Sequence, residues 1–237
     1  MRQVFKFKKF QLLQDKTAMK VGTDGVLLGA WVSLNSNPYS ILDVGAGTGL
    51  ISLMMAQRSS AEILDAVEIN DSAYEQAVEN FENSDWSDRL FCYHASIQEV
   101  ANDPEDVYDL IVSNPPFYTS TYKELNPDRA QARHAEDLSF ETLLFCTSKL
   151  LSPKGQCAFI IPYEEEDDFI KIAHNFELFP NRLSRVSGSV TSKIKRSLIQ
   201  LSFKKCDLKP EELVIEIERH QYTPEYIALV KDFYLKM

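Results

Sequence analysis

Paired cysteines are missing from this chain. Cys92, Cys146, Cys157 and Cys206 lie far apart, with no CxxC and no histidine beside them at zinc spacing. A disulfide scaffold and a zinc site are thereby excluded, no metal is expected, and four buried or inert thiols in a reducing cytoplasm become the expectation. Long apolar runs are missing too. None approaches the roughly 18 residues of a membrane span, and "MRQVFKFKKF" has no signal-peptide core, so no membrane partner is expected. Positive charge is short: the net charge is −10, which taken alone counts against nucleic acid as a partner. Internal repeats and low-complexity tracts are absent as well.

What is present is an ordinary globular composition, 44% hydrophobic and 25% charged over 237 residues, enough for one good-sized core with a small appendage. "VFKFKKFQLLQ" alternates around Phe5 and Phe7 and reads as a strand or hairpin with lysines on its other face. "MKVGTDGVLLGAW" breaks at Gly22 and Gly25, and Thr23 or Asp24 is the expected N-cap of the turn that follows. From residue 40 the pattern becomes regular. "SILDVG", "EILDAVEI", "RLFCYHA", "YDLIVS" and "GQCAFIIP" read as strands; "GLISLMMAQRS", "DSAYEQAVENFEN" and "SFETLLFCTSKLL" read as helices. Such alternation implies an α/β fold, a mostly parallel sheet covered on both faces. After Phe179 come short strands ("RSLIQLSF", "ELVIEIE") and a terminal helix, "TPEYIALVKDFYLKM". The Met and aromatic positions of "LISLMMA" and "LVKDFYL" read as core, and His94, His174 and His220 as structural or surface residues.

Two strand tips carry chemistry. "LDVGAGTGL" places Asp43, Gly45, Gly47 and Gly49 where the first of these strands turns into its helix. Glycines there let a ligand approach the backbone closely. The dinucleotide fingerprint wants its third glycine one residue later, where Leu50 stands, so a nicotinamide reading is weak. "VEIN" ends the next strand with Glu68, 25 residues after Asp43, an acid placed to hold two ribose hydroxyls, and Ile69 beside it is a candidate wall for an adenine ring. The fourth strand stops at "SNPPF", because prolines cannot extend a central strand.

D-x-G-x-G-x-G, an acid ending the second strand and N-P-P-F ending the fourth resemble class I S-adenosylmethionine-dependent methyltransferases over residues 40–162. The resemblance implies a Rossmann-like fold with S-adenosyl-L-methionine as cofactor. It links Asp43 to the methionine end of that cofactor, through water or backbone. It gives Asn114 and Pro115 the role of accepting the two N–H groups of a planar amine, and Phe117 that of stacking on it. The third strand ends "HASIQE", with Ser96 where many relatives carry an acid that meets the adenine amine; a serine there can still make one hydrogen bond, with Ile97 beside it. "FKFKKFQLLQDKTAMKVGTDGVLLGAW", "ARHAEDLSFETLL" and "YTPEYIALVKDFYLKM" resemble the bacterial tRNA(Val) adenine-37 N6-methyltransferase family, over nearly the whole chain. That implies methylation of an adenine beside the anticodon. The alternatives are a methylase of rRNA guanine N2 or release-factor glutamine N5, and a non-catalytic RNA-binding module. Only 42 residues precede Asp43, fewer than the helical domain expected of a release-factor methylase. The expected layout is residues 1–39 as N-terminal strand and cofactor-covering segment, with Thr23 among the cofactor contacts; 40–180 as catalytic core; and 181–237 as basic arm, last strands and terminal helix. No feature sets the oligomeric state, and a monomer is expected.

A tRNA substrate needs cations. Residues 181–206 hold seven Lys and Arg and no acid, leaving −17 on the other 211 residues. Local clusters bind phosphates whatever the net charge. This stretch, with Lys193, Lys195 and Arg196, therefore reads as a mobile RNA-gripping loop. Lys6, Lys8 and Lys9 form a smaller patch, and Arg129, Arg133 and His134 another.

Overall fold

The computed structural model describes residues 3–17, 19–102, 107–116 and 138–237. An antiparallel hairpin comes first, β1 (Val4–Lys6) and β2 (Gln11–Leu13), burying Phe7, Phe10 and Leu12 while its lysines face outward. Helix α1 (Thr23–Trp31) follows, buried along nearly its whole length. Its N-cap is Gly22, and no side chain caps it, so the cap lies just before the Thr23 or Asp24 expected there.

Alternation then sets in with β3 (Ser40–Val44), α2 (Leu50–Arg58), β4 (Ile63–Glu68), α3 (Asp71–Glu82), β5 (Leu90–His94), α4 (Ile97–Asn102), β6 (Tyr108–Ser113), α5 (Phe140–Leu150) and β7 (Leu151–Pro162). Side-chain caps start α3 and α5: Asn70 accepts from the Ala73 amide and Ser139 from that of Thr142. The chain closes with α6 (Glu166–Asn175), β8 (Phe179–Ser189), β9 (Ile194–Ser202), β10 (Glu211–Glu218), β11 (Gln221–Tyr222) and α7 (Pro224–Val230).

Nine strands form one sheet in the order β11-β10-β8-β9-β7-β6-β3-β4-β5. β5, β4, β3, β6 and β7 are parallel, and β9 runs antiparallel to both β7 and β8. One face of the sheet is covered by a cluster that includes Val26, Leu53, Phe81 and Phe233, the other by one that includes Ile97, Leu143 and Phe169. Met54 and Met55 are fully buried, as the "LISLMMA" pattern predicts. Strand order reverses between β3 and β6, and in open α/β sheets ligands bind at the carboxyl ends beside such a switch point.

One expectation needs correction. Residues 181–206 are not a mobile loop: most of them lie in β8 and β9, strands paired over eight positions with only a tight turn between them. Of their serines, Ser184, Ser187 and Ser197 are buried. The four thiols, all free, differ in burial. Cys146 and Cys157 are buried, Cys92 is half-buried, and Cys206 is exposed, because it follows the end of β9.

Candidate active site

The tips of β3, β4 and β6 are stitched together by side chains of the motifs themselves. Ser113 donates its hydroxyl to the Val44 carbonyl at 2.7 Å, tying β6 to β3. Glu68 accepts the Gly47 amide at 2.8 Å on Oε2 and the Asn70 amide at 2.9 Å on Oε1. This carboxylate therefore shapes the glycine turn and the start of α3, and each oxygen keeps a further lone pair for a ligand hydroxyl. Gly45 and Gly47 have positive φ, and a Cβ on either would meet only open space. Gly49 has φ +78, and a Cβ there would lie 2.4 Å from the Phe81 ring. It is a glycine because Phe81 leaves no room for anything else.

Asp43 lies beneath the turn, 1% exposed. Its Oδ2 accepts the Ser52 amide at 3.0 Å and the Ser52 hydroxyl at 2.7 Å. Burial pushes its pKa up to about 6, against the opposing pull of those two bonds. Oδ1 is buried without a protein partner.

A cavity of about 390 Å³ opens above these tips. Gly45, Gly47, Glu68, Ile69, Ser96, Ile97 and Asn114 all line it. Ile69 is 59% exposed, an apolar side chain left on the cavity wall, while Ile97 is buried behind it. Asn114 directs attention because its Oδ1 is buried and has no partner. Pro115 is buried, Pro116 is exposed and lines the cavity, and Phe117 lies outside the described residues.

The structure does not bring every expected residue to this cavity. Thr23, at the start of α1, lines a different one. Gly49 faces Phe81 and Asp43 lies below, so both act on the turn from behind. Ser96 lines the cavity, but its hydroxyl donates to Glu99 Oε2 at 2.9 Å and accepts the Glu99 amide at 3.2 Å, while its own amide donates to the same carboxylate at 2.7 Å. Ser-Ile-Gln-Glu is a reciprocal capping box for α4, so the hydroxyl proton expected for an adenine is given to Glu99 instead. The signal stood in "HASIQE", as a serine followed three residues later by a glutamate.

Thr17 and Met19 were missed. Both line the cavity, Thr17 with a buried hydroxyl that has no partner, Met19 66% exposed. They come from the segment after the hairpin, held in place where the Leu13 amide donates to Asn80 Oδ1 and the Lys16 amide to Gln76 Oε1. No local pattern signals this, since the anchor lies some sixty residues away on α3.

The expected cationic residues divide. Lys193, in the β8–β9 turn, and Lys195, at the start of β9, are exposed. Arg196 is paired with Asp24 at 2.8 Å. Lys8 donates its ammonium to the carbonyls of Lys231 and Met237, whereas Lys6 and Lys9 are exposed. Arg129, Arg133 and His134 lie outside the described residues. Among the described residues no cluster of His, Cys, Asp or Glu could hold a metal, and no helix is long and apolar enough to cross a membrane.

A switch-point cavity at a glycine turn, in a mostly parallel sheet in which β9 runs antiparallel to both its neighbours, fits a Rossmann-like class I methyltransferase. Solved structures share that fold: a predicted O-methyltransferase of Agrobacterium tumefaciens (TM-score 0.69, 19% identity, covering 89% of this chain and 96% of that one) and TYW2 of M. jannaschii, solved in complex with AdoMet (0.58, 14%, 84% of each). Residues 26–138 match the Methyltransferase small domain. More closely, the chain is 58% identical over 234 residues to the tRNA1(Val) (adenine(37)-N6)-methyltransferase of Flavobacterium psychrophilum, covering 99% of this chain and 100% of that protein. It is 48% identical to its namesake in Trichodesmium erythraeum, over 98% of each. The chain belongs to the tRNA1(Val) (adenine(37)-N6)-methyltransferase family.

Proposed function

We propose that this protein transfers the methyl group of S-adenosyl-L-methionine to N6 of adenine 37, beside the anticodon of tRNA(Val). The observation that carries the reading is Asn114: an amide oxygen, buried and unpartnered, at the tip of β6 on the rim of the switch-point cavity. Full-length similarity to enzymes named for that activity supports the choice of substrate.

The residues fit the cofactor. Glu68 would offer its spare lone pairs to the ribose hydroxyls, Ile69 and Ile97 would provide apolar surface for the adenine ring, and the open faces of Gly45 and Gly47 would admit a ligand against the backbone. Asp43 Oδ1 and the Thr17 hydroxyl are the remaining unpartnered groups at or beneath the cavity. The cofactor supplies an electrophilic methyl group on a sulfonium, so no strong base is required. What the protein must do is hold a poor nucleophile correctly. Asn114 Oδ1 would accept one N6–H and the Pro115 carbonyl the other, drawing the nitrogen out of conjugation so that its lone pair is free to attack, and the proton that the methylated nitrogen sheds would pass to solvent. The family resemblance gives Phe117, outside the described residues, the role of stacking on the base. Proline rigidity keeps the acceptors aligned, which is where the rate advantage of such a clamp arises.

Incubating the protein with methyl-labelled cofactor and tRNA, followed by nucleoside analysis, tests the reading: label is expected in N6-methyladenosine of the valine tRNA. Label in guanosine or in protein overturns it. Asn114→Ala is expected to cost on the order of 10²–10³ in turnover while cofactor binding, followed by calorimetry, stays within a few-fold. Equal losses in both would remove Asn114 from its assigned role.

A further inference from the structure

A second cavity, about 630 Å³, lies between the N-terminal hairpin, β10, β11 and the C-terminal residues. Its walls are unusually aromatic: Phe5, Tyr222, Tyr226 and Tyr234 all line it. Tyr226 is buried, and Tyr234 is held by its backbone bridge to Phe7 and by ring contact with it at 5.7 Å, so these two rings form the floor. Tyr222 sits on the sheet's edge strand, half-buried, its ring centroid 5.4 Å from that of Tyr226. Phe5 and Tyr234 approach edge to face at 6.4 Å. Two exposed lysines, Lys6 and Lys236, stand at the rim. Glu216 is the acid among the lining side chains, an acceptor for the amino groups or ring N–H of a base.

Position gives this cavity its meaning. β8 runs parallel to β6, because β9 is antiparallel to β7 and to β8. The end of β8, where Gly188 lines the cavity, therefore lies on the same edge of the sheet as Asn114. Three strand spacings and a few residues of strand length separate them, on the order of 20 Å. That is within reach of one RNA loop with its target base in the catalytic cavity.

We propose that this aromatic cavity is a second nucleotide subsite, which stacks an unpaired base of the substrate RNA against Tyr222 while Lys6 and Lys236 take the flanking phosphates. The proposal rests on the RNA-methylating reading above. Aromatic faces flanked by ammonium groups are the chemistry of single-strand binding, where each stacked base contributes enough for a five- to hundredfold change in affinity. It also gives an acidic protein a local cationic rim at the place where RNA must arrive.

The test measures binding of a fluorescein-labelled anticodon stem-loop of the valine tRNA to the full chain by anisotropy across a salt series. Tyr222→Ala is expected to weaken binding five- to a hundredfold, with Tyr222→Phe close to wild type and cofactor affinity unchanged in both. Lys6→Ser with Lys236→Ser changes only exposed side chains and leaves folding untouched. This pair is expected to make the slope of log affinity against log salt shallower by about two. Variants that bind the stem-loop like wild type overturn the subsite, whatever partner, a peptide included, the cavity then holds. A wild type that binds the stem-loop but methylates no adenine in tRNA breaks the functional reading and leaves the subsite standing.

Discussion

The tips of β3 and β4 and the strand pair β8–β9 both contain residues that the sequence marks by charge, and they behave in opposite ways. At the tips, Asp43 and Glu68 turn toward backbone and cavity, and the marked residues assemble around one space. In β8–β9 the marked arginines turn into the protein. Arg185 pairs with buried Glu166 at 2.6 Å, which also accepts the Ser197 hydroxyl; Arg182 lies over the Trp31 ring at 4.4 Å and donates to the Trp31 carbonyl; Arg196 pairs with Asp24. Lys193, Lys195, Lys204 and Lys205 remain exposed. A motif that includes its own backbone geometry reports a site, whereas a count of charges reports nothing about where their partners lie.

That contrast can be broken most sharply at Arg185. Arg185→Ala leaves Glu166 buried without its cation, a loss of about 3 kcal/mol or more, read as a fall in the denaturation midpoint. If stability is unchanged and RNA affinity falls instead, Arg185 belongs to the substrate surface after all. Next is Gly49→Ala, which adds left-handed backbone strain to a clash with Phe81, about 2–4 kcal/mol in denaturant titrations. Gly45→Ala shares the strain and has no clash in the protein, so its larger effect is expected on cofactor affinity. A Gly49 variant as stable as the Gly45 one would mean that the ring moves aside.

Glu68→Ala removes both a cofactor acceptor and the brace of the Gly47 amide. A charged hydrogen bond contributes roughly 1.5–3 kcal/mol, so calorimetry should show the cofactor binding ten- to a hundredfold more weakly. An unchanged affinity would misplace the ribose. Asp43 yields a pH effect of known sign. Its folded pKa, about 6, lies above the unfolded value of 3.8, so its contribution is fullest below pH 3.8 and is lost as pH rises through 6. Asp43→Asn is expected to flatten that decline in urea titrations between pH 4 and 7; the same slope in both proteins would assign it to another group. Smallest is Arg196→Ala, a half-exposed pair contributing up to about 1 kcal/mol, whereas Lys193 and Lys195 together should change the salt slope of tRNA binding by about two.

The sequence by itself determined the α/β alternation, the glycine turn, the acid 25 residues beyond Asp43 and the proline-stopped strand, because each depends on local rules: strand periodicity, positive φ, and a ring that removes a ladder donor. The capping role of Ser96 was equally local. Only the tertiary structure decided that Thr17 and Met19 reach the catalytic cavity, that Thr23 lines another, and that three arginines of a basic stretch are bound within the protein. Those outcomes depend on which distant elements the sheet order brings together: β9 beside β7 places Arg196 level with Pro162, close to Asp24 of α1. A hydrogen bond or ion pair across a fold is set by that juxtaposition, and no local pattern in the chain encodes it.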